Sequence, residues 1–240
     1  MPARINPLRA VASLFYPALC VVCSDDVDRD EYLCDSCRNR APRINAPFCA
    51  KCSEPFPGAI TQAFSCANCE HRILHFDSAV AAYRSRGLVR DLVHEFKYGH
   101  HRHLRYPLAE WLAETMSDPR LRGLRFDLIV PVPLHPARER ERGFNQATLL
   151  AELLAEKIEV PLRPVLERIR YTSTQTAHDR AERMENLHDA FRLRKKADVR
   201  QLRVLLIDDI LTTGSTLSEC ARVLKEAGAI SVYAATAARA

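Results

Sequence analysis

The chain has 240 residues, 47% of them hydrophobic and 27% charged, and its 35 Lys and Arg outnumber its 30 Asp and Glu by five. That length suits one large domain plus a small one, and that apolar content excludes wholesale disorder. A net charge of +5 fits an anionic ligand and an ordinary surface alike, so it selects neither.

The N-terminal MPARINPLRAVASLFYPALC holds a short apolar stretch bracketed by Pro7 and Pro17. It lacks the uninterrupted apolar region and the cleavage pattern of a secretory signal. No stretch approaches the roughly 20 apolar residues that span a bilayer. The expected location is cytoplasmic, and in a reducing compartment clustered cysteines are better explained by metal than by disulfides.

Eight of the nine cysteines form four CxxC pairs, Cys20/Cys23, Cys34/Cys37, Cys49/Cys52 and Cys66/Cys69. A CxxC turn points two thiolates at one ion, and a second pair completes a tetrahedral four-sulfur site. Ten residues separate the first two pairs and thirteen the last two, intervals that suit a hairpin. Two structural zinc sites are therefore predicted, Cys20/Cys23/Cys34/Cys37 and Cys49/Cys52/Cys66/Cys69. An iron–sulfur cluster could use the same thiolates, and interleaved pairing, first with third and second with fourth, would use the same ligands in another topology. A redox CxxC would be single and beside a βαβ unit. His71 and His75 are expected at the surface, since eight thiolates already saturate two ions. Pro42, Pro47, Pro55 and Pro57 interrupt the segment and no apolar periodicity runs through it. The expectation is a small domain over residues 1–76 with two four-cysteine zinc sites, held by metal instead of a core.

From Phe76 onward the pattern changes. Ser78 to Tyr83 (SAVAAY) reads as a strand. Leu88, Val89, Leu92, Val93 and Phe96 recur at helical spacing, and Leu108, Trp111, Leu112 and Thr115 mark a second helix. Phe126 to Val132 (FDLIVPV) is a buried-type strand, followed by a loop with Arg138, Arg140 and Arg142. Gly143 to Gln146 opens a helix carried on by Ala147, Leu150, Ala151, Leu154 and Ile158. Val204 to Ile207 is a further buried strand. Leu217, Cys220, Ala221 and Leu224 line the helix after it, which makes Cys220 a core cysteine. Ser231 to Thr236 closes as a last strand. Alternating strands and helices predict an α/β domain over 77–240 with a doubly wound, mostly parallel sheet.

The most informative segment is VLLIDDILTTGSTL, Val204 to Leu217. A buried strand ends at Asp208 and Asp209, and a hydroxyl-rich turn with one Gly opens a helix. Parallel sheets bind ligands at the carboxyl ends of their strands. Thr212, Thr213, Gly214, Ser215 and Thr216 surround free helix N-terminal amides, which attract a phosphate. The two carboxylates repel that phosphate and suit vicinal sugar hydroxyls or a metal ion. Phosphate at one end and vicinal hydroxyls at the other describe a ribose 5-phosphate. No GxxxxGK[ST] and no GxGxxG accompanies a strand, so a P-loop and a dinucleotide fold are unsupported.

This segment resembles the phosphoribosyl pyrophosphate signature of type I phosphoribosyltransferases. With the CxxC pairs ahead of it, nearly the whole chain resembles the ComF (competence protein F) family. Phe96-Lys97-Tyr98, Pro131 to Ala147, and Arg168 to Phe191 with Gln175, Arg183, Asn186 and Phe191 also match. Ala177-His178 departs from the family, which usually has Leu after the Gln-Thr pair. The resemblance implies a double zinc ribbon ahead of a phosphoribosyltransferase-like fold, and phosphoribosyl pyrophosphate as ligand.

Breaking the bond from the anomeric carbon to pyrophosphate builds charge on the leaving group, which cations stabilise. Arg142, Arg140 and Lys97 are the candidates, together with magnesium. The arginines alternate with Glu139 and Glu141, so a solvated, self-neutralising run is the competing reading. Tyr171 to Asn186 is expected to be a flap over the ligand or a plain surface loop. Two functions follow. One is a magnesium-dependent phosphoribosyltransferase of unknown acceptor. The other is a non-catalytic module that holds the ligand, single-stranded DNA or competence partners. The resemblance links the chain to DNA uptake in natural transformation. Acidic residues Asp25, Asp26, Asp28, Asp30 and Glu31 oppose Arg38, Arg40, Arg43 and Lys51, which favours scaffolding or protein contact over DNA for the ribbons.

Overall fold

The computed structural model describes residues 18–28, 31–58, 60, 62, 64–171 and 189–240. The N-terminal stretch up to residue 17, and the expected flap from residue 172 onward with Gln175, Ala177, His178, Arg183 and Asn186, lie outside them.

Four strands form a wholly parallel sheet: β1 (Ala79–Arg84), β2 (Leu128–Pro131), β5 (Arg203–Leu211) and β6 (Ser231–Arg239), in the order β1-β6-β5-β2. In chain order β3 (Leu166–Arg168) and β4 (Phe191–Leu193) come between β2 and β5 and make a separate antiparallel pair. The helices are α1 (Asp35–Arg40), α2 (Ala67–Glu70), α3 (Leu88–Tyr98), α4 (Arg105–Glu114), α5 (Pro136–Arg142), α6 (Gln146–Ile158) and α7 (Ser215–Glu226). Successive side chains of a strand point to opposite faces. Leu205 and Ile207 of β5 accordingly pack with α3, α4 and α6, while Val204 and Leu206 pack with α7, β3 and β4. Helices on both faces explain why β5 reads as an unbroken apolar run. The expected doubly wound parallel sheet is present.

Three details correct the sequence reading. Strand β5 runs on to Leu211, so Asp208 and Asp209 lie inside it instead of at its end. The strand continues because β6 also extends to Arg239 and keeps pairing, with Ile210 opposite Ala238 and Leu211 opposite Arg239. Arg138, Arg140 and Arg142 stand on helix α5, not on a loop. Pro136 occupies its first turn, and Gly143 ends it in the left-handed region at φ +78°. Proline at the start and glycine just past the end bracket good helix formers, a local signal that outranks the charge alternation. The β3/β4 pair has too few apolar positions to show a period.

The Cys-rich segment also differs from a free-standing module. Lys51 O accepts from Ala79 N at 2.8 Å, and Ile44 N and Arg84 N donate to Ala82 O and Pro42 O at 2.9 and 2.8 Å. Ser53 Oγ, fully buried, donates to Ala79 O at 3.0 Å and accepts from Ala81 N at 3.2 Å. The segment thus covers the outer edge of β1, whose backbone groups would otherwise be unpaired. Cys20, Leu33, Cys37 and Ala41 join one face of the core, and Cys49, Cys52, Cys69 and Leu74 the other. Metal alone does not hold it; the main core takes part. Among the described residues no helix is long and apolar enough to cross a membrane.

Candidate functional site and metal centres

The thiols of Cys20, Cys23, Cys34 and Cys37 lie within 4.8 Å of one another, as do those of Cys49, Cys52, Cys66 and Cys69. Consecutive pairs therefore share a site, and the interleaved topology is excluded. Backbone amides also reach the sulfurs: Cys37 N donates to Cys34 Sγ at 3.5 Å and Cys66 N to Cys49 Sγ at 3.3 Å. Such donors favour the thiolate form that a metal needs. Hydrogen bonds from Cys52 and Cys69 hold the Cys49 thiol far below the usual thiol range, and the same crowding pushes Cys69 far up. The donor set fits two closed four-thiolate zinc sites. His71 is exposed and His75 half-buried, both outside the two quartets. Cys220 is fully buried on α7.

Strand β5 carries the acid pair into the open end of the sheet. One residue apart, the two carboxylates leave opposite faces of the strand. Asp209, 4% exposed, faces α3, where Lys97 Nζ lies 2.8 Å from its Oδ2. The ammonium approaches off the hydrogen-bond direction, so the contact is an ion pair and not a hydrogen bond. Asp208 sits on the α7 side, within electrostatic reach of Arg168 and Cys220. Its Oδ1 accepts from Asp209 N at 2.9 Å. Burial, and after it the neighbouring Asp209 charge, pushes its carboxyl up to about 8. Such a carboxyl gains most from a cation or hydroxyl donor brought by a ligand.

Three segments that are distant in sequence meet here. Phe96 of α3 packs on Phe144 at 5.5 Å, and Arg142 stacks over Tyr98 at 5.0 Å. Arg142 Nη1 also donates to Gln146 Oε1 at 2.6 Å. Asn145 caps α6 through its side-chain oxygen and donates to Val132 O at 3.0 Å, which ties the helix start to the end of β2. The Phe96-Lys97-Tyr98 and Gly143-Phe144-Asn145-Gln146 segments are thus one wall beside Asp209. Arg142 belongs to that wall, whereas Arg140 is exposed on α5.

The turn Thr212–Gly214 follows β5, and Gly214 precedes α7 at φ +78°, a conformation glycine adopts without a Cβ penalty. Thr213 Oγ1 and Ser215 Oγ lie 2.9 Å apart, and Ser215 N donates to Thr213 Oγ1 at 3.4 Å. Thr212 is exposed and Thr216 half-buried. The structure adds residues that the sequence did not single out. Arg72 and Asn68 of the second ribbon donate to Thr213 O at 2.9 and 3.2 Å. Arg239 donates to Thr212 O at 2.6 Å and ion-pairs with Glu54 of the same ribbon. Asn68 and Arg72 are four apart, and Arg72 Nη1 also donates to Asn68 Oδ1 at 2.9 Å. That spacing was visible in the sequence; the partner was not.

Residues 11–72 match the double zinc ribbon domain and residues 145–240 the phosphoribosyl transferase domain. Competence protein F of Haemophilus influenzae is 30% identical over 89% of this chain and 93% of its own. The chain belongs to the competence protein F family. The family's DNA utilization protein YhgH of Salmonella typhimurium is 32% identical over 91% of this chain and 96% of its own. Competence protein ComFC of Bacillus subtilis is 31% identical over 83% of this chain and 80% of its own. The parallel sheet with helices on both faces is a phosphoribosyltransferase-like fold, and the two cysteine quartets are those of a double zinc ribbon.

Proposed function

We propose that this competence protein F relative binds phosphoribosyl pyrophosphate, with magnesium, at the open end of β5. The observation that carries the reading is the continuity of β5, the Thr212–Gly214 turn and α7. It sets the buried Asp209 and the half-buried Asp208 next to a glycine-opened helix N-terminus. The 5-phosphate is assigned to Thr212, Thr213, Gly214, Ser215 and Thr216, where helix amides and hydroxyls attract an anion. Asp208 and Asp209 take the ribose hydroxyls or the magnesium ion, whose charge would relieve the crowding of two carboxylates. Lys97 and Arg142 face the pyrophosphate, with Arg140 able to reach in from the exposed side of α5. In a transfer reaction the bond from the anomeric carbon to pyrophosphate breaks, and these cations would stabilise the charge gained by the leaving group.

The physiological setting we assign is DNA uptake, in the cytoplasm. The relatives' names speak of competence and DNA utilisation, and eight unpaired cysteines in two metal-binding quartets fit a reducing compartment. On this reading residues 1–76 serve as the scaffold of the ligand-binding part, 77–240, because residues 42–53 among them cover its sheet edge.

Titration of phosphoribosyl pyrophosphate by calorimetry, with and without magnesium, tests the reading. Binding that strengthens with magnesium and is lost in Asp209→Asn supports it. No heat in the parent, or an Asp209→Asn titration equal to the parent's, sinks it. Release of pyrophosphate in the presence of single-stranded DNA or cell extract separates a transferase from a module that only holds its ligand.

A further inference from the structure

We infer that Arg72, on the second zinc ribbon, is a positioning residue for the phosphate turn and sets its polarity for an anion. The inference rests on the phosphate assignment above and deepens it. The ribbon reaches the turn through two side chains, Asn68 between Cys66 and Cys69, and Arg72 three residues after Cys69. Both donate to one acceptor, Thr213 O, Arg72 through Nη1 at 2.9 Å and Asn68 through Nδ2 at 3.2 Å. A trans peptide unit is planar, with its C=O and the following N–H pointing in opposite directions. Holding Thr213 O against the ribbon therefore turns Gly214 N–H away from the ribbon, free to meet an anion. Arg239 acts the same way one residue earlier. It holds Thr212 O at 2.6 Å, which turns Thr213 N–H away from the Arg239 side.

The second part of the argument concerns Ser215. Its hydroxyl has one proton to give and two lone pairs. Arg72 Nη2 donates to Ser215 Oγ at 2.8 Å and takes one lone pair. An arginine has no acceptor, so the Ser215 proton must point elsewhere, toward Thr213 Oγ1 at 2.9 Å or toward a phosphate oxygen. A phosphate oxygen needs a donor, and the guanidinium makes Ser215 one. One side chain thus fixes both an amide and a hydroxyl as donors before ligand arrives, which lowers the ordering cost of binding. The turn is pre-organised by a segment more than 140 residues away in sequence, and that segment is itself held by the second four-cysteine site.

The test titrates ribose 5-phosphate, without magnesium, into the full-length zinc-loaded protein and its variants. Arg72→Ala should weaken binding by about tenfold or more, since a charged donor and the order it imposes are both lost. Zinc content should stay at the parent value, and methylguanidinium in the buffer should recover part of the affinity in Arg72→Ala while leaving the parent unchanged. Hydrogen exchange of the amides around residues 212–216 should speed up in the variant, and that of the β5 core should not. An Arg72→Ala affinity within about twofold of the parent overturns the inference and leaves the phosphate assignment standing. A parent that does not bind ribose 5-phosphate removes the assignment itself. Should Arg72→Ala lose its zinc, Arg72→Lys decides, because one ammonium cannot hold Thr213 O and Ser215 Oγ in the geometry of the two-pronged guanidinium. Lysine at parent affinity overturns the inference; a clear loss with zinc retained supports it.

Discussion

Replacing Lys97 by methionine keeps the length of the side chain and removes its charge. In the parent the two side chains are 19% and 6% exposed, with Nζ 2.8 Å from Asp209 Oδ2. Removing one partner strands a carboxylate with little access to water, which costs about 3–5 kcal/mol in buried pairs. Lys97 retains some exposure, so the low end, about 3 kcal/mol, applies. For a chain of this size each kcal/mol moves the melting point by about 2–4 °C, so a fall of about 6–12 °C is expected. Asp209→Asn should cost less, about 1 kcal/mol, because the stranded ammonium can swing its flexible stem toward water. Thermal melts of the parent, both single variants and the double variant measure this, and the double variant should recover most of the Lys97→Met loss. A Lys97→Met protein melting within about 1 °C of the parent, or an Asp209→Asn protein melting lower than Lys97→Met, would refute the asymmetry.

Three further outcomes follow from the geometry. Asp208 has a folded-state carboxyl raised to about 8, so its contribution to stability is full below the unfolded value of 3.8 and is lost as pH rises through that window. Asp208→Asn should therefore gain in melting temperature relative to the parent between about pH 5 and pH 8, and a constant difference across the range would contradict it. Cys52→Ser should lower bound zinc from two equivalents to one in a metal assay, while Cys220→Ser, outside both quartets, should keep two. Ser53→Ala removes the hydroxyl that joins Ala79 O and Ala81 N and also accepts from Arg120 Nη2 at 2.9 Å. Its cost should be about 1–3 kcal/mol in denaturant titration, the usual result of stranding buried partners, and a neutral result would mean that water replaces it.

The acid pair and the turn after it were legible because each is contiguous in the chain. Buried strand, two acids, hydroxyl-rich turn and apolar helix face are read within Val204 to Leu217. The length of β5 was not legible. Ile210 and Leu211 belong to the strand only because β6 supplies partners for them. Arg138, Arg140 and Arg142 read as a loop because they lie between a strand and a helix start, although Pro136 and Gly143 mark a short helix of their own. By its segment Lys97 reads as a candidate cation for the leaving pyrophosphate. The structure shows that its ammonium is first the counter-ion of Asp209.

The pairing into consecutive quartets came from the sulfur positions, while the sequence alone determined the class of the sheet and which eight cysteines make up the two metal quartets. Those features are written in spacings of a few residues, where backbone geometry leaves little choice. Only the tertiary structure decided that the ribbon covers the edge of β1, that Lys97 and Arg142 share a wall beside Asp209, and that Arg72 holds Thr213. Each of these depends on chain segments tens to more than a hundred residues apart meeting across a packed core. Nothing in local spacing encodes which distant carbonyl a given arginine will find.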